Sequence, residues 1–397
     1  MEIHRAHKIQ LDLNNKQAHY MQCACGCARF AYNWGLTEWK RAYEEGEKPS
    51  SYNVTKSFTA IKREQFPFIM EVTKCAPEAA FLNLGKAFSN FFRNLKHGKK
   101  PGYPKYKKKG LNDSFGISND QCKVKNKKIR IPRLGWVRMR ESWRFPEDKI
   151  MSAIISKTAG KWFISINSQT QIADPTPKVH SVGVDVGIKS LAVTSDNVVF
   201  ENPKALKTNQ DRVRLVQKSV SRKKKGSNNR KKAVMQLAKL HYRISNIRKD
   251  SAHKASCTIT KSAGLIGIED LNVSGMLKNH KLSKAISDAG LSEFLRQIEY
   301  KALWNGSKVV KADRFYPSSK TCSACGAIKD TLKLSERVYN CSDCGLSLDR
   351  DLNAAINLKQ YAVGSTVKAC CLGSSGSTPL ESNETTDWAG ISLKPNI

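Results

Sequence analysis

Residues 3–13 alternate apolar and polar side chains, which predicts a short strand with one buried face. From about residue 16 the spacing changes to three and four. Tyr20, Cys23, Cys27, Phe30, Ala31, Trp34 and Leu36 then fall near one face of a helix, closed by a loop around 46–51. A second helical region follows, with Pro77 suited to a first turn and Phe81, Leu84, Phe88, Phe91, Phe92 and Leu95 recurring as a core-packing stripe. Between 115 and 170 the period returns to two. WVRMR, IMSAIIS and KWFISINS, separated by turn signals, predict a small β-barrel-like module.

Pro175, Pro177 and Lys178 mark a boundary. Beyond it VGVDVG reads as a buried strand with a carboxylate inside it, and SLAVTS and VVFEN as the next strands of a meander. Residues 209–260 are helical and basic, with period resuming at Val234, Leu237, Leu240, Ile244 and Ile247. LIGIED predicts another buried strand that ends in acids. Leu291, Phe294, Leu295, Ile298 and Leu303 predict an amphipathic helix capped by Gly306. A strand-like KVVKADRFY, a cysteine-rich loop and a last helix, DLNAAINLKQYA, come next; the Ser-, Thr- and Gly-rich stretch 364–397 predicts a disordered tail.

Charge sharpens the picture. The 397 residues carry 68 Lys and Arg against 34 Asp and Glu, a formal net charge of +34. Such an excess attracts polyanions, and nucleic acid is the common one. Two stretches concentrate it. Residues 96–110 (KHGKKPGYPKYKKKG) interleave Lys with Tyr, which suits a phosphate backbone and its bases, and residues 221–232 read SRKKKGSNNRKK. Lys99, Lys100, Lys105, Lys107, Lys108, Arg222, Lys223, Lys224 and Lys225 are the candidate phosphate contacts. No apolar run is long enough to span a bilayer, and the opening MEIHRAHKIQLDL lacks the apolar heart of a signal peptide. The expectation is a cytoplasmic, nucleoid-associated prokaryotic protein with no membrane partner, acting as a monomer.

Two constellations carry chemistry. Cys322-Ser-Ala-Cys325-Gly and Cys341-Ser-Asp-Cys344-Gly are CxxCG knuckles fifteen residues apart, the spacing of a zinc ribbon. Four thiolates close the coordination shell, so one structural Zn²⁺ is expected. The run Cys23, Cys25, Cys27 reads as packing, because alternate residues of a helix do not share a face. The second constellation is acidic. Asp185 lies inside a buried strand, Glu269 ends another, and Asp351 opens the last helix, with Asp349 as a competing choice. An acid that opens a helix is often only a cap. The order of the three is nevertheless that of an RNase H-like nuclease. There, carboxylates hold two Mg²⁺ ions about 3.5–4 Å apart at a scissile phosphate.

The stretches YNWGL (32–36), PGYPKYKKKG (101–110), GVDVGIKSLAV (183–193), SRKKKGSNNRKK (221–232), IEDLNVSGM (268–276), DRFYPSSKTCSACG (313–326) and CGLSLDRDLNAAINL (344–358) together resemble the TnpB family of transposon-encoded, RNA-guided nucleases, relatives of the type V CRISPR effectors. The resemblance implies an α/β multidomain fold. A β-barrel wedge domain (1–15 and 100–178) is interrupted by a helical recognition domain (16–99). A RuvC-type nuclease domain (179–363), with an inserted zinc ribbon at about 316–350, follows. It places the catalytic acids on Asp185, Glu269 and Asp351. It implies a guide RNA from the element's own transcript, a double-stranded DNA target beside a short adjacent motif, and cutting of both strands at one site. The Leu13-Asn14-Asn15 turn departs from a more usual Pro-containing turn. The competing expectation is a nuclease-inactive, guide-RNA-bound DNA-binding regulator, against which the intact acids speak. A DDE-type transposase shares the core but fits the lysine-rich helices and the ribbon poorly.

Overall fold

Alternation makes β1 (Glu2–Asp12), which buries Ile3, Ile9 and Leu11. Asn14 then turns the chain into α1 (Asn15–Glu44). Its Oδ1 accepts from the Gln17 backbone N–H at 2.8 Å, and the Gln17 side chain accepts from the Asn14 N–H at 3.2 Å. This reciprocal cap starts the helix. The coordinates, a computed structural model, describe residues 2–98, 101–172, 178–333 and 335–372, with side chains to 366. They form two compact units, Met1–Thr176 with Pro203–Ser251, and Pro177–Asn202 with Ala252–Ile397. The Pro175–Pro177 boundary expected from sequence lies outside the described residues, as do Lys99, Lys100 and 373–397.

In the first unit, α2 (Ser51–Gln65) and α3 (Cys75–Lys96) pack on α1 through aromatic rings. Trp39 stacks on Phe88 at 4.3 Å between centroids, and Phe58 meets Phe81 edge-on at 5.1 Å. The stripe on α3 is core as far as Phe88. Its end is not: Phe92 is 48% and Leu95 42% exposed. Strands β2 (Ser114–Ser118), β3 (Lys123–Lys125), β4 (Lys128–Ile131), β5 (Gly135–Met139), β6 (Lys149–Thr158) and β7 (Lys161–Gln171) join β1 in the order β2-β6-β7-β1-β5-β4-β3. Their pairings are antiparallel. β1 pairs with β7 from Glu2 to Gln10 and passes to β5 at Leu11. Ile9, Ile129, Met139 and Ile164 from the sheet share one core with Met21, Leu36, Phe58 and Phe81 from the helices.

The units divide the chain differently from the expected domains. The helices α4 (Ala205–Thr208) and α5 (Gln210–Ser221), with α6 (Asn228–Ser262) as far as Ser251, belong to the first unit. The reason is packing. Leu240 and Ile244 are buried with Ala205 and Val213, and the Tyr242 ring lies 5.8 Å from that of Phe163 on β7.

The second unit is built on β8 (Ser181–Val186), β9 (Ser190–Thr194), β10 (Val199–Glu201), β11 (Leu265–Glu269) and β12 (Lys308–Ala312), in the order β10-β9-β8-β11-β12. The meander β8-β9-β10 is antiparallel, whereas β8-β11 and β11-β12 are parallel. Parallel pairs need long crossovers, and helices supply them. After α7 (Val273–Met276) and α8 (Ser283–Ala289), α9 (Leu291–Asn305) ends at Gly306 in the left-handed conformation, φ +68°. Val182, Val184, Ile266 and Ile268 pack with Ala255 and Ile259 of α6 and Phe294 and Ile298 of α9. A two-stranded ribbon, β13 (Val338–Asn340) and β14 (Ser347–Asp349), leads into α10 (Arg350–Leu372). This helix runs past Gly364, where the sequence predicted a tail; Ser365 and Thr366 satisfy their hydroxyls on the Tyr361 and Ala362 carbonyls without breaking it. Among the described residues no helix is long and apolar enough to cross a membrane.

Helix α10 lies directly against β8 and β11, and two glycines permit it. A Cβ on Gly183 would stand 1.9 Å from the Ala355 carbonyl oxygen, and one on Gly267 2.2 Å from that of Leu358. Backbone atoms cannot step aside as a side-chain tip can. Gly183→Ala and Gly267→Ala are each expected to cost about 1–3 kcal/mol or more in denaturant unfolding. Gly187→Ala, whose Cβ would meet the Ser190 carbonyl at 3.2 Å, should cost less. Equal losses at all three positions would show that helix packing is not what these glycines serve.

Candidate active site

The glycine contacts fix where the acids stand. Side chains two apart on a strand share a face, so Asp185 projects from the same side of β8 as Gly183, and Glu269 from the same side of β11 as Gly267. The parallel register pairs Gly267 with Gly183 and Ile268 with Val184, which brings Glu269 level with Asp185. On α10, Asp351 is four residues before Ala355, one turn from the contact with Gly183. Thus the two strand acids and Asp351 converge at one end of the sheet.

Their electrostatics agree with that placement. Burial first, then the carboxylates of Glu269 and Asp351, push Asp185 well above the ordinary carboxylate range. Arg350 and the Val186 N–H act in the opposite sense. Like charges in an apolar setting cannot all ionise without a compensating cation. Asp349 has a different use. Its Oδ1 accepts from the backbone N–H groups of Asp351 at 2.9 Å and Leu352 at 3.2 Å, capping α10. The helix-cap role, open to either acid on sequence alone, therefore falls on Asp349.

Further groups join the acids that the sequence pattern did not single out. The Ser318 hydroxyl donates to Glu269 Oε1, and Arg314 pairs with Asp270 at 2.6 Å. Two buried asparagines on α10 hold the loop that carries Ser318. Asn357 Nδ2 donates to the carbonyls of Ser318 at 2.8 Å and Thr321 at 2.7 Å. Asn353 Nδ2 also reaches the Thr321 carbonyl at 2.7 Å, while its Oδ1 accepts from the Ser323 N–H at 3.0 Å. The signal in the sequence is the spacing in DLNAAINL: two asparagines four apart on the face of a helix that otherwise buries Ala354, Ala355 and Leu358.

The loop continues into the cysteines. The sulfurs of Cys322, Cys325, Cys341 and Cys344 all lie within 4.8 Å of one another, with Cys322–Cys344 and Cys325–Cys341 both at 3.6 Å. Zn–S bonds of about 2.3 Å give tetrahedral edges of about 3.8 Å, so the set fits one structural zinc ion. Gly326 at φ +80° and Gly345 at φ +73° close the two knuckles in a conformation that favours glycine. Among the described residues this is the one set of three or more His, Cys, Asp or Glu side chains gathered so tightly, and the three acids do not form another. Cys25 and Cys27 are core thiols. Burial pushes Cys25 up to about 12 and Cys27 up to about 11, so both stay protonated. The side chains of Cys370 and Cys371 lie outside the described residues.

The candidate basic contacts divide. Lys105, Lys107 and Lys108 are exposed, as are Arg222, Lys224 and Lys225 in the turn after α5. Lys107 is held: its backbone exchanges hydrogen bonds with the Asn33 side chain at 2.7 and 3.0 Å, and its ammonium lies 4.1 Å from the Tyr32 ring centroid. Lys223 donates to Ser219 Oγ at 2.8 Å. Residues 101–110 thus pack along α1 as a strap, with Tyr106 bonded to Thr37 and Lys40 lying near the rings of Tyr103 and Tyr106.

The chain is similar to known proteins over most of its length. Residues 163–280 match the model described as "Probable transposase", 292–358 the "Cas12f1-like, TNB domain", and 1–48 a "Helix-turn-helix domain". The chain is 34% identical over 400 residues to a Streptomyces pristinaespiralis protein provisionally named an RNA-guided DNA endonuclease, covering 99% of this chain and 97% of that one. It is 32% identical over 388 residues to InsQ of Escherichia coli K12, provisionally named likewise, covering 92% and 94%. The fold is similar to that of the protein in a cryo-EM structure of a Cas12f1–sgRNA–target DNA complex, with a TM-score of 0.56 at 14% identity, covering 90% of this chain and 99% of that one.

The charge conflict at Asp185 has a consequence for stability. A carboxyl whose folded pKa is raised keeps a proton that the unfolded chain releases, so its contribution falls as pH rises above the ordinary carboxylate range. Asp185→Asn is therefore expected to raise the thermal midpoint of the metal-free protein at neutral pH, by roughly 2–4 °C for each kcal/mol relieved. The gain should shrink toward acid pH, where both proteins are uncharged at this position. A variant melting at or below wild type in chelator at pH 7 would contradict the convergence of the three acids.

Proposed function

We propose a function from one premise: this chain belongs to the TnpB family of RNA-guided DNA endonucleases. It cuts DNA, directed by an RNA guide, and its cutting centre is the carboxylate set Asp185, Glu269 and Asp351. The observation that carries this reading is the seating of α10 on Gly183 and Gly267, which sets Asp185, Glu269 and Asp351 at one end of the sheet. A site that crowds negative charge is unfavourable on its own and suits divalent cations, for which carboxylates are the preferred hard ligands.

The sheet order β10-β9-β8-β11-β12, with one acid inside β8, one ending β11 and one opening α10, supports an RNase H-like, RuvC-type reading of the second unit. Two Mg²⁺ ions held there would supply an activated water and stabilise the leaving oxygen of an in-line phosphodiester displacement. The chain's own residues do the rest. Asp185 offers its carboxylate from a rigid strand, and Glu269 from the neighbouring one. Asp351 completes the set from the first turn of α10, beside Arg350, whose charge offsets part of the repulsion at Asp185. The engagement of Asp349 as a cap supports Asp351 as the third acid. The sheet of the first unit supports the wedge reading, and the helices α1 to α3 the recognition reading.

Guide RNA transcribed from the same element and double-stranded target DNA beside a short motif are the partners of this reading. Base pairing would read the sequence, leaving the protein to hold backbones, and a net charge of +34 suits that task. Lys105, Lys107, Lys108, Arg222, Lys224 and Lys225 are the exposed contacts.

Asp185→Ala is expected to abolish Mg²⁺-dependent cutting of a guide-matched target while guide and target still bind in gel-shift measurements. A wild-type complex that binds a matched target beside its motif and never cuts it would favour the regulator reading instead. Replacing Arg222, Lys224 and Lys225 together by Ala should weaken nucleic-acid binding. It should also flatten the slope of log K against log salt by up to about 0.7–0.9 for each phosphate no longer neutralised. An unchanged slope would remove these residues from the interface.

A further inference from the structure

We infer that Ser318 is a positioning residue for Glu269, fixing the rotation of its carboxylate so that one oxygen stays committed to the protein and the other faces the cation site; this rests on the metal-dependent reading proposed above. Glu269 is the last residue of β11 and pairs with Ala312 of β12, which fixes its backbone but not the rotation of its side chain. Three rotatable bonds separate its carboxylate from the backbone, against two for Asp185. Ser318 Oγ donates to Oε1 alone. Ser318 is itself 2% exposed and locked, because Asn357 Nδ2 holds its carbonyl at 2.8 Å and its own N–H donates to the Tyr316 carbonyl at 2.8 Å.

The Asn357 amide bonds two carbonyls through its nitrogen, and its Oδ1, also buried, has no hydrogen-bond partner among the described residues. A buried acceptor left unpaired costs free energy. The chain tolerates that cost to keep the amide donors on this loop. The loop is thereby fastened to α10, the helix that carries Asp351, while its serine is fastened to Glu269 on β11. One short segment thus sets the relative placement of two of the three acids. Groups that orient a metal ligand in this way alter affinity for the ion far more than they alter the fold, by about 10–100-fold in known sites.

The test uses full-length protein with Mn²⁺ as the probe, followed by EPR of the free ion, and Mg²⁺ titrations of cleavage by the guide-loaded protein. Wild type should bind Mn²⁺ in a manner lost in Asp185→Ala. Ser318→Ala should weaken that binding about tenfold or more, and raise the Mg²⁺ concentration for half-maximal cleavage in parallel. At saturating Mg²⁺ its cleavage rate should return close to wild type. Ser318→Thr, which keeps the hydroxyl, should recover the affinity, and Ser318→Cys, of similar size but a weak donor, should behave as the alanine variant does. Unchanged Mn²⁺ affinity in both Ser318→Ala and Ser318→Cys would overturn the inference, and so would tighter binding, which would mean that Ser318 blocks the site. If wild type shows no Mn²⁺ binding that depends on Asp185, the cation reading of the acids falls, and this inference with it.

Discussion

The second unit depends on one close approach: the backbone of α10 lies on β8 and β11 with no side chain between. Gly183 and Gly267 are paired across the two strands, and each meets a carbonyl of the helix. Because strand faces repeat every two residues, the side chain two positions after each glycine points toward the same helix. Those side chains are Asp185 and Glu269. The packing contact and the acidic centre are therefore consecutive features of one surface, and helix pitch places Asp351 one turn beyond the contact. Apolar burial by Ala354, Ala355, Leu358 and Ala362 offsets the repulsion among the acids at the end of the same interface.

That arrangement explains why some of the site was legible in sequence. The cysteine knuckles were, because ligand spacing is a local signal; the three acids could be proposed from the same kind of signal, an acid in an apolar strand. The repeated Gly-x-acid in VGVD and IGIE was equally local, yet its meaning needs the helix that packs on it, more than eighty residues downstream of Gly267. Ser318 was hidden for a related reason. A serine in a polar loop looks like any other until the fold brings Glu269 to it across 49 residues.

Other expectations moved because composition does not reveal which surface a helix packs on. The basic helices after Asn202 read as part of the domain that surrounds them in sequence, but Tyr242, Leu240 and Ile244 bury themselves within the first unit. The Lys- and Tyr-rich strap looked like a row of phosphate contacts. Part of its charge is engaged internally, since Lys107 sits over Tyr32 and its backbone is hydrogen-bonded to Asn33. A cation near an aromatic face is held in place without losing its charge, so Lys107 is positioned by the strap while staying exposed.

The zinc ribbon is held by a different balance. Its strands have three residues each, and its apolar cluster is Cys322, Tyr339 and Cys341 with Ala327 and Leu346 against them. So small a core cannot offset the entropy of ordering the segment, and four metal-bound thiolates can. Once ordered, the ribbon's leading loop presents Thr321 and Ser323 to Asn353, and Thr321 and Ser318 to Asn357. Its other end delivers Asp349 as the cap of α10. The cysteines therefore hold both approaches to the acidic centre: the loop that reaches Glu269 and the turn that starts the helix of Asp351. A structural zinc ion with no open coordination position would thus act on the proposed cutting centre by fixing the two chain segments that lead to it.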